Sequence, residues 1–327
     1  MAITNAAVAV SAPGKVLLAG GYLVLDRLYT GLVFGLSARI NVVTQAASSE
    51  GTEGNEIVVD SPQFLQAQWR YSYTTASEGG GIKVTQSQSE LSSPNPFVET
   101  TLNYVLSYIS KLSGKEVSAT KVSILADTDY YSQSGTSQTR DGSRFVDFGV
   151  SLKDANKTGL GSSAALVTSL TASLLSYYLP TEQFNLASAE GKRTLHNLAQ
   201  AAHCAAQGKV GSGFDVAAAV FGSCTYRRFS PSVLSAIPEA GSPGFGEKLV
   251  SVVNREEWDV QVDGDGLTMP SGVTLRMCDV DCGSQTVGMV KNVLKWRSAN
   301  PEKSTALWDE LQGYNTQLAQ NLKEHET

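Results

Sequence analysis

The sequence predicts an α+β protein of two domains, and three observations lead to this. The chain has 327 residues, which is more than one typical domain holds. Short β-branched and apolar runs typical of strands fill the chain up to about residue 75, whereas helical patterns dominate after residue 96. Pro, Ser and Gly cluster over residues 230–246, which predicts a linker between domains at residues 1–229 and 247–327.

The composition is that of an ordinary globular protein, with 42% hydrophobic and 17% charged residues. A net charge of −6 argues against nucleic acid or a membrane surface as a partner. The longest uncharged run, residues 159–181, holds too many Ser, Thr and Gly residues to span a bilayer. The first basic residue is Lys15, so the basic start of a signal peptide is missing. The four cysteines lack the spacing of a zinc site, and we expect reduced thiols in a cytoplasmic protein.

Strands are predicted through much of the N-terminal half. Two of them, residues 6–11 and 15–19, flank a turn at Ala12-Pro13-Gly14 that presents Lys15 at its edge. The other predicted strands are residues 22–25, 32–43, 55–60, 68–73, 120–126 and 145–152. Residues 76–93 and 127–144 are rich in Ser, Gln and Gly or Tyr and are predicted to be polar loops.

Helices are predicted where apolar residues recur at intervals of three and four. The first begins after Pro94-Asn95-Pro96 and ends at Gly114. The later predicted helices are residues 163–179, 181–207, 214–221, 284–297 and 302–327. Between them, strands are predicted at residues 224–229, 248–253, 258–262 and 274–280.

Two glycine-rich loops each open onto a predicted helix. Residues 157–165 read Lys-Thr-Gly-Leu-Gly-Ser-Ser-Ala-Ala, and residues 208–213 lead into a helix with Asp215 in its first turn. Free backbone N–H groups and the positive end of the helix dipole favour a bound anion at such starts. The first loop resembles a dinucleotide fingerprint, but a polar segment separates it from the preceding strand, and no Walker A sequence occurs. We therefore expect a phosphate site of another type.

Three segments carry a resemblance to a known family. Residues 12–22, 157–165 and 211–219 resemble, in order and spacing, the first two signature motifs and the catalytic Asp segment of the GHMP small-molecule kinases. Within that superfamily, residues 18–26, 157–163 and 196–209 are similar to phosphomevalonate kinases of the fungal type. The resemblance implies an ATP-binding N-terminal domain like domain 2 of ribosomal protein S5 and a ferredoxin-like C-terminal domain. It also implies transfer of the ATP γ-phosphoryl group to the small molecule 5-phosphomevalonate, giving 5-diphosphomevalonate.

The resemblance assigns roles to individual residues. Lys15 is implied to bridge the donor and acceptor phosphates, Asp215 to pair with it, and Ser163 to contact Mg²⁺. The residues implied to bind ATP are Lys157, Gly159, Leu160, Gly161, Ser162, Ser163 and Ala164. Those expected to bind the acceptor are Tyr22, Arg140, Ser212 and Arg227. Mevalonate kinases carry a Glu as a Mg²⁺ ligand where this chain has His203, so we expect fewer protein ligands and more water on the metal.

The sequence also departs from its family. The third family motif, a glycine-rich loop in the C-terminal domain, is not found after Gly246, and the last helix ends without a cap. We therefore expect about the last quarter of a complete enzyme to be missing, which leaves the ferredoxin-like domain incomplete. Two alternatives stay open, another GHMP kinase such as mevalonate kinase, or an inactive fragment that binds nucleotide or a partner through its exposed last helix. The oligomeric state is left open.

Overall fold

The main element of the fold is a mixed sheet with helices packed on it. The structure, a computed structural model, describes residues 6–47, 55–87, 93–132, 143–254, 258–265, 267–278 and 286–324. Within these ranges the main sheet holds β1 Val8–Ala19, β2 Gly31–Ala46, β3 Glu56–Asp60, β4 Gln68–Thr75, β5 Ile82–Gln86, β6 Thr120–Ala126, β9 Cys224–Arg227 and β10 Gln261–Asp263. A small second sheet pairs β7 Tyr131–Ser132 with β8 Asn156–Lys157.

Helices make up most of the rest. They are α1 Pro96–Ser113, α2 Ser162–Tyr178, α3 Ala189–Gln207, α4 Phe214–Phe221, α5 Ser232–Ser235, α6 Phe245–Asn254, α7 Thr286–Ala299 and α8 Pro301–Glu324. Two single 3₁₀ turns lie at Leu23–Leu25 and Thr128–Tyr130. The predicted mixture of strands and helices is confirmed.

Strand β2 organises the sheet, because it is 16 residues long and is paired on both sides. β1 runs antiparallel along one side, while β9 and then β6 pair with the other. The strand order is β10-β9-β2-β6-β3-β4-β5, and of these pairs only β3 with β6 is parallel. The first residues of β2 therefore lie between the segment near Lys15 on one side and the strand that holds Arg227 on the other.

Helix α2 lies at the centre of the core and packs on β1 and β2 as well as on α1, α3 and α4. Of its 17 residues, 12 are buried, which accounts for the long uncharged run in the sequence. In β4 the buried residues Trp69, Tyr71 and Tyr73 alternate with exposed polar ones, so one face of that strand meets the core.

Several predicted boundaries are wrong for identifiable reasons. Residues 12–14 do not form a turn, because β1 continues through them with a shift of register between Pro13 and Lys15. The third helix begins at Ala189 and not at residue 181, since the Ser188 side chain caps it by accepting a hydrogen bond from the Gly191 N–H. Residues 248–253 belong to helix α6, because Phe245, Leu249, Val252 and Val253 are buried at helical spacing.

Two further corrections concern predicted loops and strands. Residues 76–93 are not a single loop, because they contain β5, in which Ile82 and Val84 are buried. No regular strand forms at residues 145–152 or 274–278, apart from an isolated bridge between Ser151 and Leu65. Residues 133–142 of the predicted loop 127–144 lie outside the described residues, and so do residues 88–92 of the predicted loop 76–93.

The two-domain boundaries stay a prediction. Helix α6 begins at the end of the predicted linker, and β10 lies after it. Both nevertheless contact the N-terminal part, since α6 packs against α1 and α3 and β10 pairs with β9 at the edge of the main sheet. Helix α8 reaches the same sheet through Leu322, which packs with Leu32 and Phe34. Among the described helices, none is sufficiently long and apolar to cross a membrane.

We predict that His196 makes the fold sensitive to acid. This side chain is 1% exposed in α3 and packs beside Phe221 and Trp258, and burial lowers its pKa to about 4. In an unfolded chain a histidine titrates near 6.5, so between about pH 6.5 and 4 the unfolded state binds the extra proton. Stability from this group is therefore fully present above pH 6.5 and is lost as the pH falls to about 4, by on the order of 3 kcal/mol.

The measurement is urea unfolding of wild type and His196→Leu at pH 7.5 and pH 4.5. The variant is expected to lose less unfolding free energy between the two pH values than wild type does. Equal losses in the two proteins would contradict the assignment.

Candidate active site

The site begins where β2 bulges opposite Lys15 of β1. Pro13 pairs with Arg39 but Lys15 pairs with Gly35, so the partner strand carries extra residues at this point. Such a bulge turns the following side chain away from the regular direction of the strand. The Lys15 backbone N–H donates to Leu160 O at 2.9 Å, and Lys15 Nζ donates to Gly159 O at 3.1 Å. The bulge thus fastens Lys15 to the phosphate loop predicted from the sequence.

Gly161 is in contact with the same lysine. It precedes α2 with a φ of +81°, a conformation that glycine adopts without the strain felt by other residues. A Cβ built at Gly161 would lie 3.0 Å from Lys15 Cε and 3.1 Å from Lys15 Cγ. The lysine stem therefore lies directly over the loop, and a side chain at position 161 would require the stem to shift by a few tenths of an ångström.

Helices α2 and α4 begin in the same way. Gly161 and Gly213 both cap their helices in the left-handed conformation, and neither cap supplies a side-chain hydrogen bond. N–H groups at both helix starts are therefore left for a ligand, apart from the Val216 N–H of α4, which donates to the Asp215 side chain. The helix dipoles make both ends attractive to anions.

Lys15 and Asp215 bring opposite charges to these helix starts. Burial is the main influence on Lys15 and lowers its pKa, while the negative charge of Asp215 acts in the opposite direction. Lys15 Nζ also lies 5.5 Å from the centre of the Phe214 ring. Asp215 is in the first turn of α4, where its Oδ1 accepts a hydrogen bond from the Val216 N–H at 3.0 Å. The two residues expected to act together are thus close enough to influence each other.

A buried histidine lies between the two helix starts. His203 Nε2 is 3.1 Å from Ser163 Oγ, and His203 Nδ1 is 4.0 Å from Asp215 Oδ2. The side chain is 1% exposed, and burial lowers its pKa despite the opposing effect of Asp215, so the ring is neutral at physiological pH. The Gln207 carboxamide nitrogen is 2.8 Å from both ring nitrogens.

A cavity of about 540 Å³ opens beside this group. Gly211, Ser212, Gly213 and Asp215 form one side of it, and Val290, Lys291 and Leu294 of α7 form another. The remaining lining residues are Leu25, Gln200, His203, Cys204, Gln207, Lys209, Val210 and Arg228. Three cations, Lys209, Arg228 and Lys291, face a space large enough for a small phosphorylated molecule.

A second, smaller pocket lies on the other side of the loop. Lys157, Ser162 and Ser163 line it together with Asn95. Its apolar walls are formed by Ile40, Phe64, Trp69, Phe97, Ile124, Ala126, Tyr131, Leu152 and Leu166. Its volume of about 80 Å³ is well below that of a typical ligand pocket, so it is a gap in the core beside the loop and too small for a nucleotide base.

The structure brings most of the predicted residues together, with exceptions among the acceptor contacts. Arg227 donates to the carbonyl oxygens of Arg27 and Leu28 and does not line the cavity. Tyr22 has a φ of +63° and packs near Tyr29 and Trp308, away from the residues that line the cavity. Arg140 and Cys282 lie outside the described residues.

Arg228 is the cavity residue that sequence reasoning missed. Its guanidinium donates to Leu25 O and Val210 O, and burial lowers its pKa. The signal was present in the sequence, because alternate residues of a strand face opposite sides. Cys224 and Tyr226 of β9 are buried. Arg228 continues this alternation on the same side of the chain, whereas Arg227 lies on the opposite side.

Two oxygen groups near the helix starts could each serve Mg²⁺, the Ser163 hydroxyl and the Asp215 carboxylate, and they lie at different nitrogens of the His203 ring. Among the described residues there is no group of three or more His, Cys, Asp or Glu side chains that could hold a metal ion. Mg²⁺ keeps several waters and binds through one or two protein groups and substrate phosphates, so a single oxygen such as Ser163 Oγ is enough to fit it.

Comparison with known proteins identifies the family. A family sequence model described as the GHMP kinases N terminal domain matches residues 145–223. Phosphomevalonate kinase ERG8 of Gibberella zeae is 63% identical over 329 residues, which cover 98% of this chain and 74% of that protein. The chain belongs to the phosphomevalonate kinase family. Phosphomevalonate kinase erg8 of Aspergillus fumigatus is 49% identical over 352 residues, with 97% of this chain and 72% of that protein covered.

Solved structures agree with a phosphomevalonate kinase fold. The Streptococcus pneumoniae phosphomevalonate kinase in complex with phosphomevalonate and AMPPNP superposes with a TM-score of 0.54 at 16% identity. The match covers 98% of this chain and 80% of that one. At this identity the likeness concerns the fold alone, and it confirms the predicted GHMP kinase architecture. The incomplete ferredoxin-like domain stays a prediction, since β10 is the one strand described after residue 246.

We predict that Gly161→Ala and Gly159→Ala differ sharply in catalysis. Both glycines have a positive φ, +81° and +76°, so each alanine bears a similar backbone strain. At Gly161 the new Cβ would also displace Lys15, whereas nothing lies within 4 Å of a Cβ at Gly159. We expect kcat of Gly161→Ala to fall about tenfold or more below that of Gly159→Ala, because small displacements of a reacting group are costly.

Steady-state kinetics of both variants, corrected for folded protein by circular dichroism, check this. Equal kcat values in the two variants would show that the contact between Gly161 and Lys15 has no catalytic importance.

Proposed function

We propose that phosphoryl transfer to 5-phosphomevalonate takes place between the starts of α2 and α4, with Lys15 and Asp215 as the catalytic pair. One observation carries the proposal: Lys15 is fastened to the phosphate loop by two hydrogen bonds while the Asp215 charge acts on it from the other helix start. A cation so placed reaches groups bound at either helix. Transfer from ATP to phosphomevalonate is the reaction of the family to which the chain belongs.

The chemistry of the acceptor suits such a site. A phosphate monoester has its second pKa near about 6, so it is largely deprotonated at neutral pH and already nucleophilic. The main task is to hold two polyanions together and to stabilise charge on the transferring group, which calls for fixed cations and N–H donors. In this proposal the Lys15 ammonium bridges the two phosphates, and Asp215 orients the ammonium and does not act as a strong base.

We place the nucleotide on the loop before α2. The N–H groups at the start of α2 and the Ser162 and Ser163 side chains would bind the ATP phosphates, and Lys157 would add a charge at the edge. A related phosphomevalonate kinase has been solved with AMPPNP and phosphomevalonate, which supports two neighbouring sites of this kind.

The acceptor is assigned to the 540 Å³ cavity beside α4. Lys209, Arg228 and Lys291 would face its phosphate and carboxylate, with Arg228 in place of the Arg227 expected from the sequence. Ser212 lines the same cavity and is held by a hydrogen bond from Tyr226 to its carbonyl oxygen. For Arg140 and Tyr22, contact with the acceptor stays a prediction that rests on the family resemblance alone.

Magnesium is the second cofactor that we propose. Ser163 would hold it together with the ATP phosphates and water, and when bound it would neutralise charge on those phosphates. We also propose the cytoplasm as the compartment, in keeping with free thiols at Cys204 and Cys224, which are buried.

Side-by-side assays of ATP turnover with phosphomevalonate and with mevalonate test the acceptor. We expect kcat/KM to be far higher with phosphomevalonate, because the cations of the cavity match an acceptor phosphate. A preference for mevalonate would favour a mevalonate kinase, and ATP binding without turnover of either acceptor would favour a binding role.

Lys15→Met tests the catalytic cation. Loss of the ammonium is expected to lower kcat by about 10²–10³-fold, the usual effect of removing one group that stabilises charge in the transition state. Affinity for a non-hydrolysable ATP analogue should change much less, because the N–H donors of α2 remain. Lys153→Met is the matched control, since Lys153 is an exposed lysine just before the loop. Turnover in Lys15→Met equal to that of the control would remove Lys15 from the mechanism.

A further inference from the structure

His203 is surrounded by groups of the proposed site, although it lies in the middle of a packed core. Its ring contacts Ser163 at the start of α2, faces Asp215 at the start of α4, and lies 5.8 Å from the Phe97 ring. The described structure thus joins the two helix starts through a single side chain of α3.

The Gln207 carboxamide also reaches both ring nitrogens at 2.8 Å, and its oxygen and nitrogen exchange places by a flip of the amide. With the amide oxygen toward the ring, Gln207 and Asp215 both favour a proton on Nδ1. An ionised carboxylate can only accept hydrogen bonds, so the ring nitrogen that faces Asp215 is best protonated. A neutral imidazole has one N–H and one lone pair, which leaves Nε2 to accept a hydrogen bond from the Ser163 hydroxyl. The Ser163 hydroxyl then donates its proton to His203, which leaves the lone pairs of Ser163 Oγ for a ligand.

We propose that His203 is a positioning residue that holds the Ser163 hydroxyl and the Asp215 carboxylate in one arrangement. Nε2 accepts the Ser163 proton and Nδ1–H points toward Asp215 at 4.0 Å. Ser163 is thereby directed to offer an oxygen to a cation instead of a proton to a phosphate. The inference rests on the proposed roles of Ser163 and Asp215, and it explains what fixes the position of one side chain relative to the other.

The chain provides a matched control on the same helix. His196 and His203 lie seven positions apart in α3, and each is 1% exposed. His196 contacts Asn197, Phe221 and Trp258 and makes no contact with the loop. Replacing either ring by leucine removes a buried imidazole, but only one of the two changes reaches the site.

The test compares His203→Leu, His203→Gln and His196→Leu in the full chain. His203→Leu is expected to lower kcat by about 10–100-fold, the usual effect of removing a group that orients a ligand side chain. His203→Gln should recover part of the loss, because its amide can reach Ser163. His196→Leu should lower stability and leave kcat per folded molecule unchanged.

A binding measurement gives a readout that does not depend on turnover. Affinity for a non-hydrolysable ATP analogue is measured with and without Mg²⁺, and the gain that Mg²⁺ confers should be smaller in His203→Leu than in His196→Leu. In a Ser163→Ala background the same change at position 203 should have less effect, because the shared contact is already lost.

The outcomes separate the two proposals. Equal kcat and equal Mg²⁺ gain in the two leucine variants would overturn the role of His203. Absence of phosphomevalonate-dependent turnover in wild type would overturn the proposed acceptor, while the Mg²⁺ gain would still decide the role of His203. Should His203→Leu fail to fold, His203→Gln and the Ser163→Ala pair decide the question, and additive effects in that pair would overturn the inference.

Discussion

The site depends on one contact, that of Lys15 with the loop before α2. Its backbone N–H and its ammonium donate to neighbouring carbonyl oxygens, and its stem covers Gly161. Lys15 and Gly159 are 144 positions apart, so this contact forms only when β1 and α2 have packed together. The reacting cation and the phosphate loop are therefore positioned as one unit by the core and not by local sequence.

Local donors explain how an acidic chain can bind two polyanions. The net charge is −6, yet α2 and α4 both begin at left-handed glycines, which have no side chain to cap the N–H groups that follow. Backbone donors at a helix start are fixed in place and cost no side-chain entropy on binding. The few cations that line the cavity then need only to complement these donors, so the overall charge is a poor guide to the ligand.

Much of this site was predictable because its main signals are local. Glycines followed by serines and a helical run predicted the start of α2, and Gly213 with Asp215 predicted the start of α4. The resemblance to the family then connected both with Lys15. The bulge that aims Lys15 was not predictable, since a gap in pairing depends on the partner strand. The sequence predicts a strand where α6 lies, because a short apolar run fits both the two-residue period of a strand and the 3.6-residue period of a helix until its burial is known.

A neutral ring at position 203 also suits the charge of the acceptor. An accepting hydroxyl group carries no charge of its own. A carboxylate beside the metal, as in mevalonate kinases, is then repelled only by the nucleotide phosphates at the reacting centre. A phosphate acceptor adds about 1.5 to 2 negative charges at neutral pH, and each further carboxylate nearby would repel it. An imidazole keeps a hydrogen-bonding group in the same place without that repulsion. The burial of His203, which disfavours the charged form of its ring, is therefore consistent with a site designed for two anions and one positioned hydroxyl.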